Sequence, residues 1–185
     1  ERATEVPHVI SFMRELGYQP AALKRRDVRF EGMGDGLWHP GRQLLWAGIG
    51  PRSAPEAWAE ISQRYNVPVI TLELADPDFY HLDTALAVLN ETTCLWCPAA
   101  FDDAGRALIQ AVFTTCIEAP ETEARRGFAC NALCPDGRHV LIQKGNPITK
   151  QRLIDAGLDV IELDTSEFMK SGGSVFCMKL LHGPL

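Results

Sequence analysis

Leu37-Trp-His-Pro-Gly-Arg-Gln-Leu-Leu-Trp-Ala-Gly-Ile-Gly50, then Ser53-Ala-Pro-Glu-Ala-Trp-Ala-Glu-Ile-Ser-Gln-Arg64, then Val67-Pro-Val-Ile-Thr-Leu-Glu-Leu74: the order of these three segments decides the fold. The first reads as a β-hairpin, because Pro40-Gly41 supplies turn chemistry between two apolar runs. The second reads as a helix, with Ser53 as N-cap, Pro55 in the first turn, and Ala57, Ile61 and Tyr65 at helical spacing. The third reads as a strand. Together they make one ββαβ unit.

The same order returns twice. A hairpin at Thr84–Cys97 precedes a helix at Asp103–Phe113 and a strand at Thr114–Ala119. A hairpin at Ala129–Gln143, turned by Asp136-Gly137, precedes a helix at Pro147–Ala156 ended by Gly157, and a strand at Asp159–Asp164. The hairpins start about 45 residues apart, which is the mark of a structural repeat. A helix and strand over Thr4–Leu23 complete the end of a further unit, and Ser174–Leu181 reads as a lone final strand. Each unit exposes a sheet edge that only a neighbour can cover, so the units are expected to close around an axis rather than stack in a line. Strand ends from different units then converge near that axis, and polar residues at those ends are the candidates for chemistry.

Composition narrows the function classes. A chain of 185 residues, 46% of them hydrophobic, can bury a full core and reads as a single domain over 1–185. A net charge of −6, from 18 Lys+Arg against 24 Asp+Glu, argues against a nucleic-acid partner and suits a cationic one. No apolar run reaches the roughly 20 residues of a membrane span, and no signal-peptide pattern opens the chain. The expectation is a soluble, cytoplasmic protein without a membrane partner. Six cysteines in mainly apolar segments read as reduced thiols rather than a disulfide framework. Zinc at Cys94, Cys97, Cys130 and Cys134 is disfavoured, because strand positions three apart point to opposite faces and four ligands must converge.

Three segments set polar groups at unit boundaries: Phe30-Glu-Gly-Met-Gly-Asp35, Phe79-Tyr-His-Leu-Asp83 and Ser171-Gly-Gly-Ser-Val-Phe-Cys177. A thiolate nucleophile needs a neighbouring base or cation, and His81 is suited to serve Cys177. Glu31 or Asp83 is suited to orient the imidazole or hold a positive substrate. Each residue also has a plain structural reading, as core thiol, core histidine or turn acid.

In this order, Glu-Gly-Met-Gly-Asp (31–35), His-Leu-Asp (81–83) and Gly-Gly-Ser-Val-Phe-Cys-Met (172–178) resemble the active-site segments of the guanidino-group-modifying superfamily. That superfamily comprises the dimethylarginine dimethylaminohydrolases, arginine deiminases and amidinotransferases. The resemblance runs through essentially the whole chain and includes Asp164-Thr-Ser-Glu-Phe168. It implies the pentein-type α/β propeller of ββαβ repeats, with Cys177 as nucleophile, His81 as general acid/base and Glu31 as its acidic partner. It further implies that Asp83 and Asp35 grip the guanidinium and that Arg52 binds the substrate carboxylate. The implied chemistry is hydrolysis of arginine or a methylated arginine through a covalent thiouronium, with no metal or cofactor. Amidino transfer to an amine is the alternative, and a non-catalytic scaffold binding a guanidino compound or partner is the alternative of another class. A homo-oligomer is compatible with an open sheet edge.

Two features depart from the superfamily pattern. Met33 lengthens the acidic motif, leaving either Glu31 or Asp35 to face His81. Five units of this size exceed the chain, so roughly one and a half N-terminal repeats are expected to be lacking and the ring incomplete.

Overall fold

The computed structural model describes residues 4–180. The chain opens with helix α1 (Val6–Glu15) and a loop reaching a 3-10 turn at Gly32–Gly34. Strand β1 (Gly36–Trp38) pairs antiparallel with β2 (Leu45–Ile49); helix α2 (Pro55–Tyr65) then returns the chain to β3 (Val69–Glu73), parallel to β2 with Leu45 opposite Val69. A second 3-10 turn, Leu82–Thr84, starts the next unit: β4 (Leu86–Val88), β5 (Thr93–Trp96), helix α3 (Asp103–Val112) and β6 (Thr115–Glu118), paired in the same sense. Helix α4 (Glu121–Gly127) precedes β7 (His139–Gln143), helix α5 (Pro147–Asp155) and β8 (Asp159–Leu163), which is parallel to β7. Helix α6 (Ser166–Met169) and a last 3-10 turn, Phe176–Met178, complete the described residues. Three separate small sheets result rather than a closed barrel, in the pentein-type α/β arrangement.

The sheets share one core. All four residues of β5 are buried, and Trp46, Trp96, Phe101, Leu72 and Leu82 are among the largest side chains withdrawn from water. The rings of Trp46, His39 and Phe113 stack, joining the first unit to the helix of the second. Burying a side chain of this size contributes about 2 kcal/mol or more, so the core fixes the relative positions of the 3-10 turns that precede the sheets.

Four expectations from sequence are corrected. Ser53 is not the N-cap of α2; Ala54 holds that position, and Ser53, fully buried, accepts a hydrogen bond from the Glu31 amide through Oγ at 3.1 Å. The third hairpin keeps its second strand only. Its first is reduced to the single bridge Leu133–Leu141, because the Asn131 carbonyl accepts from Phe176 N at 3.1 Å instead of joining a ladder. The lone final strand is replaced by the turn Phe176–Met178, and Leu181 lies outside the described residues. Residues 18–23 form no strand, since a strand exists only through a paired neighbour and none among the described residues runs beside them. Helices α4 and α6 had no counterpart in the sequence reading.

Candidate active site

The site is assembled from equivalent positions of successive units. The 3-10 turns Gly32–Gly34, Leu82–Thr84 and Phe176–Met178 correspond, so Glu31 and His81 occupy the residue before their turns, while Asp83 and Cys177 occupy the middle residue of theirs. Both like-placed pairs meet. His81 Nε2 lies 2.9 Å from Glu31 Oε2, and Cys177 Sγ donates to Asp83 Oδ2 at 3.3 Å. Glu31, rather than Asp35, is therefore the carboxylate beside the imidazole. Asp35 sits beneath, 1% exposed, where Oδ1 accepts from Leu82 N at 3.0 Å and ties the first turn to the second. Arg52 Nη1 donates to both Glu31 oxygens, at 3.1 and 3.2 Å, and its guanidinium lies over the Tyr80 ring. Tyr80 OH in turn donates to the Gly172 carbonyl, linking this edge to the cysteine loop.

That loop owes its shape to two glycines and a buried polar network. Gly172 has φ +85°, which side chains other than glycine rarely adopt, and a Cβ on Gly173 would lie 2.8 Å from Cys177 Cβ. Ser174 and Thr165 share a hydroxyl hydrogen bond of 2.7 Å, and the Thr165 amide donates to Gln143 Oε1 at 2.7 Å, anchoring the loop to the end of β7. Asn131 binds the loop from the opposite side, with Nδ2 3.2 Å from Cys177 Sγ. Sequence reading passed over Asn131 because nothing near it marks a motif. Its position at the start of the third unit, where the first two carry Glu31 and His81, was the usable signal. A cavity of about 400 Å³ is lined by Arg29, Gly50, Ser53 and Pro55 among others; none of Glu31, His81 and Cys177 lines it.

Residues 8–181 match the family model described as N,N dimethylarginine dimethylhydrolase, eukaryotic. The chain belongs to this family. It is 39% identical to the N(G),N(G)-dimethylarginine dimethylaminohydrolase of Mycobacterium tuberculosis, over 97% of this chain and 57% of that protein. It is 33% identical to AgrE, a bifunctional arginine dihydrolase/ornithine cyclodeaminase of Nostoc, over 97% of this chain and 26% of that one. Among solved structures, a single-residue variant of the N-terminal domain of ArgZ, an arginine dihydrolase of cyanobacteria, covalently bound to a reaction intermediate, superposes with TM-score 0.89. The two are 32% identical, over 96% of this chain and 65% of that one. The chain thus spans less than two thirds of each of these relatives.

Electrostatics in this dimethylarginine dimethylhydrolase-family site favour a cation. Burial drives the Asp83 carboxyl up to about 6, against the opposing hydrogen bond from Cys177. Burial, with the nearby Asp83 charge second, drives the Cys177 thiol up to about 11, while the Asn131 hydrogen bond works the other way. Asp35 is likewise raised by burial, against the hydrogen bond from the Leu82 amide. Burial also opposes ionisation of Glu31, but the hydrogen bonds from Arg52 and His81 together outweigh it and hold that carboxyl below its usual value. Asp35 Oδ2 and Asp83 Oδ1 are buried without a hydrogen-bond partner among the described residues.

Lys179 lies on the same loop and was not foreseen. Its Nζ is buried without a hydrogen-bond partner, 3.3 Å from the centroid of the Phe176 ring, and burial pushes it down to about 8 despite the pull of Asp83 and Cys177. Because the folded value lies below the unfolded one, this ammonium costs stability in full below about pH 8, and the cost fades as pH approaches 10.5. Lys179→Met is expected to raise the melting temperature near pH 7, with the gain shrinking as the medium is made alkaline. Melting curves across that range check it; a gain that does not vary with pH would show the cost is not one of charge.

Proposed function

We propose that the complete protein hydrolyses the guanidinium of arginine or a methylated arginine, using Cys177 as nucleophile. The observation that carries this is the contact of Cys177 Sγ with Asp83 beside the His81–Glu31 pair. A planar cation needs acceptors in its own plane on more than one edge, which the unpaired oxygens of Asp83 and Asp35 offer. Held there, the guanidinium carbon faces the sulfur. The thiolate attacks, the amine leaves with a proton from His81, and a thiouronium remains on Cys177. Water, deprotonated by the same imidazole, then releases the ureido product. Glu31 keeps the imidazole oriented, and Arg52, which uses Nη1 for Glu31, has the rest of its guanidinium available for a substrate carboxylate.

The relatives named above are hydrolases, which supports water rather than an acceptor amine in the second step, and the covalent intermediate captured on ArgZ supports a nucleophilic first step. The pairing of His81 with Glu31 and of Cys177 with Asp83 counts against a scaffold without turnover. We further read residues 1–185 as one catalytic domain. Six unpaired cysteines support a cytoplasmic setting. Among the described residues no helix is long and apolar enough to cross a membrane.

The test is to incubate the full-length protein with arginine, methylarginines and agmatine, assay ureido product, and acid-quench for an adduct on the Cys177 peptide. Turnover without any cysteine adduct would overturn the nucleophile. A second expectation follows from the charges. Burial first and the Asp83 charge second raise the thiol to about 11, and a bound guanidinium offsets that charge and sets a positive one beside the sulfur, so an inert guanidinium ligand should elicit thiolate ultraviolet absorbance at a lower pH than the empty site shows it. No ligand-induced thiolate signal would mean that the substrate's charge does not activate Cys177.

A further inference from the structure

Asn131 lies 46 residues before Cys177, is fully buried, and spends its entire hydrogen-bonding capacity on two neighbouring segments. Its Oδ1 accepts from Ser174 N at 3.0 Å and Cys177 N at 3.3 Å. Its Nδ2 donates to the Asp83 carbonyl at 3.1 Å and to Cys177 Sγ at 3.2 Å. Three of these partners are backbone groups of fixed polarity. Two amides can only donate and one carbonyl can only accept, so the carboxamide has a single consistent orientation. The remaining Nδ2 proton is therefore forced towards the sulfur. The Asn131 carbonyl meanwhile accepts from Phe176 N, so main chain and side chain hold the same turn.

We propose that Asn131 is the positioning residue of the Cys177 sulfur, clamping its turn through Oδ1 and offering an Nδ2 proton to the thiolate. This rests on the reading of Cys177 as nucleophile. A neutral thiol is a weak acceptor, whereas a thiolate is a strong one, so the bond from Nδ2 strengthens when the proton leaves. It also passes the position of Asp83 to the sulfur, since one amide nitrogen bonds the main chain of the first and the side chain of the second. Asn131 therefore fixes the distance between the cation-binding carboxylate and the attacking atom. No other side chain among the described residues hydrogen-bonds both Asp83 and Cys177.

The test uses Asn131→Asp in the full-length protein. This change keeps an acceptor for the two amides and replaces the donor that serves both the Cys177 sulfur and the Asp83 carbonyl by an acceptor. The readout is the alkylation rate of Cys177 by iodoacetamide, followed on its peptide by mass spectrometry as a function of pH. At about pH 8 the variant should react about tenfold more slowly or worse, because losing one hydrogen bond to a charged group weakens the thiol as an acid by about that factor or more. With substrate, kcat should fall far more than KM changes. An alkylation profile superposable on the wild type would overturn the proposal.

Should the variant fold poorly by circular dichroism, the wild-type protein decides. The Nδ2 proton resonances of Asn131 should shift as Cys177 ionises, and that shift should vanish in Cys177→Ala; resonances indifferent to Cys177 would overturn the proposal. Alkylation needs no turnover. Inactivity of the wild type on every guanidino compound would thus overturn the hydrolase reading alone, and the Asn131 comparison would still stand.

Discussion

Asp83→Asn is expected to lower kcat/KM for a guanidino substrate by roughly a thousandfold, the scale on which loss of one preorganised electrostatic partner is felt in a water-poor site. It should also make the protein more stable. Asp83 is 3% exposed, and its folded value of about 6 lies above the unfolded 3.8, so its ionised form is disfavoured by folding. The stability associated with its protonated form is complete below about pH 3.8 and is lost as pH rises through 6. Asparagine avoids that loss. The gain above pH 6 is expected to reach about 3 kcal/mol, since each tenfold weakening of an acid on folding corresponds to about 1.4 kcal/mol, and it should disappear in acid. Paired urea titrations across this range measure it. A variant that loses activity without gaining stability above pH 6 would show that Asp83 is not a destabilised, functionally retained charge.

The site residues were legible one by one, but not their geometry. Glu31, His81, Asp83 and Cys177 stand at unit boundaries that the hairpin spacing locates, and a repeat read to the right phase already predicts that like positions meet around the axis. What the linear pattern hides is competition for backbone groups. Val175-Phe-Cys-Met-Lys-Leu180 has the apolar content of a strand, yet the Asn131 carboxamide takes the amides of Ser174 and Cys177, and those residues turn instead of pairing. The missing strand of the third unit has the same cause, because Asn131 is occupied by the cysteine loop. Ser53 failed as an N-cap for a comparable reason, its hydroxyl serving the Glu31–Asp35 motif rather than α2. In each case a buried polar group from a distant segment overrode a local preference, and these overrides cluster at the site. That is expected where a chain departs from its own repeat to build chemistry.

Gly34→Ala is expected to reduce kcat by roughly a hundredfold to ten-thousandfold, the range contributed by a positioned general acid/base, with little change in melting temperature. The argument is steric. A Cβ at position 34 would lie 2.4 Å from His81 Nδ1 and 2.8 and 2.9 Å from two further ring atoms, while the backbone at Gly34 does not adopt the positive φ that would itself strain alanine. The ring has no slack, because Nε2 is held by Glu31 at 2.9 Å. The imidazole must therefore leave Glu31, and the cost falls on the residue's role rather than on the backbone. A double-mutant cycle separates this from a general disturbance of the first turn. Once His81→Ala has removed the ring, alanine at 34 has nothing to displace, so Gly34→Ala should cause no further loss of kcat in that background. If instead the two losses multiply, Gly34 acts on the site by a route other than His81, and the imidazole is not the group that this glycine makes room for.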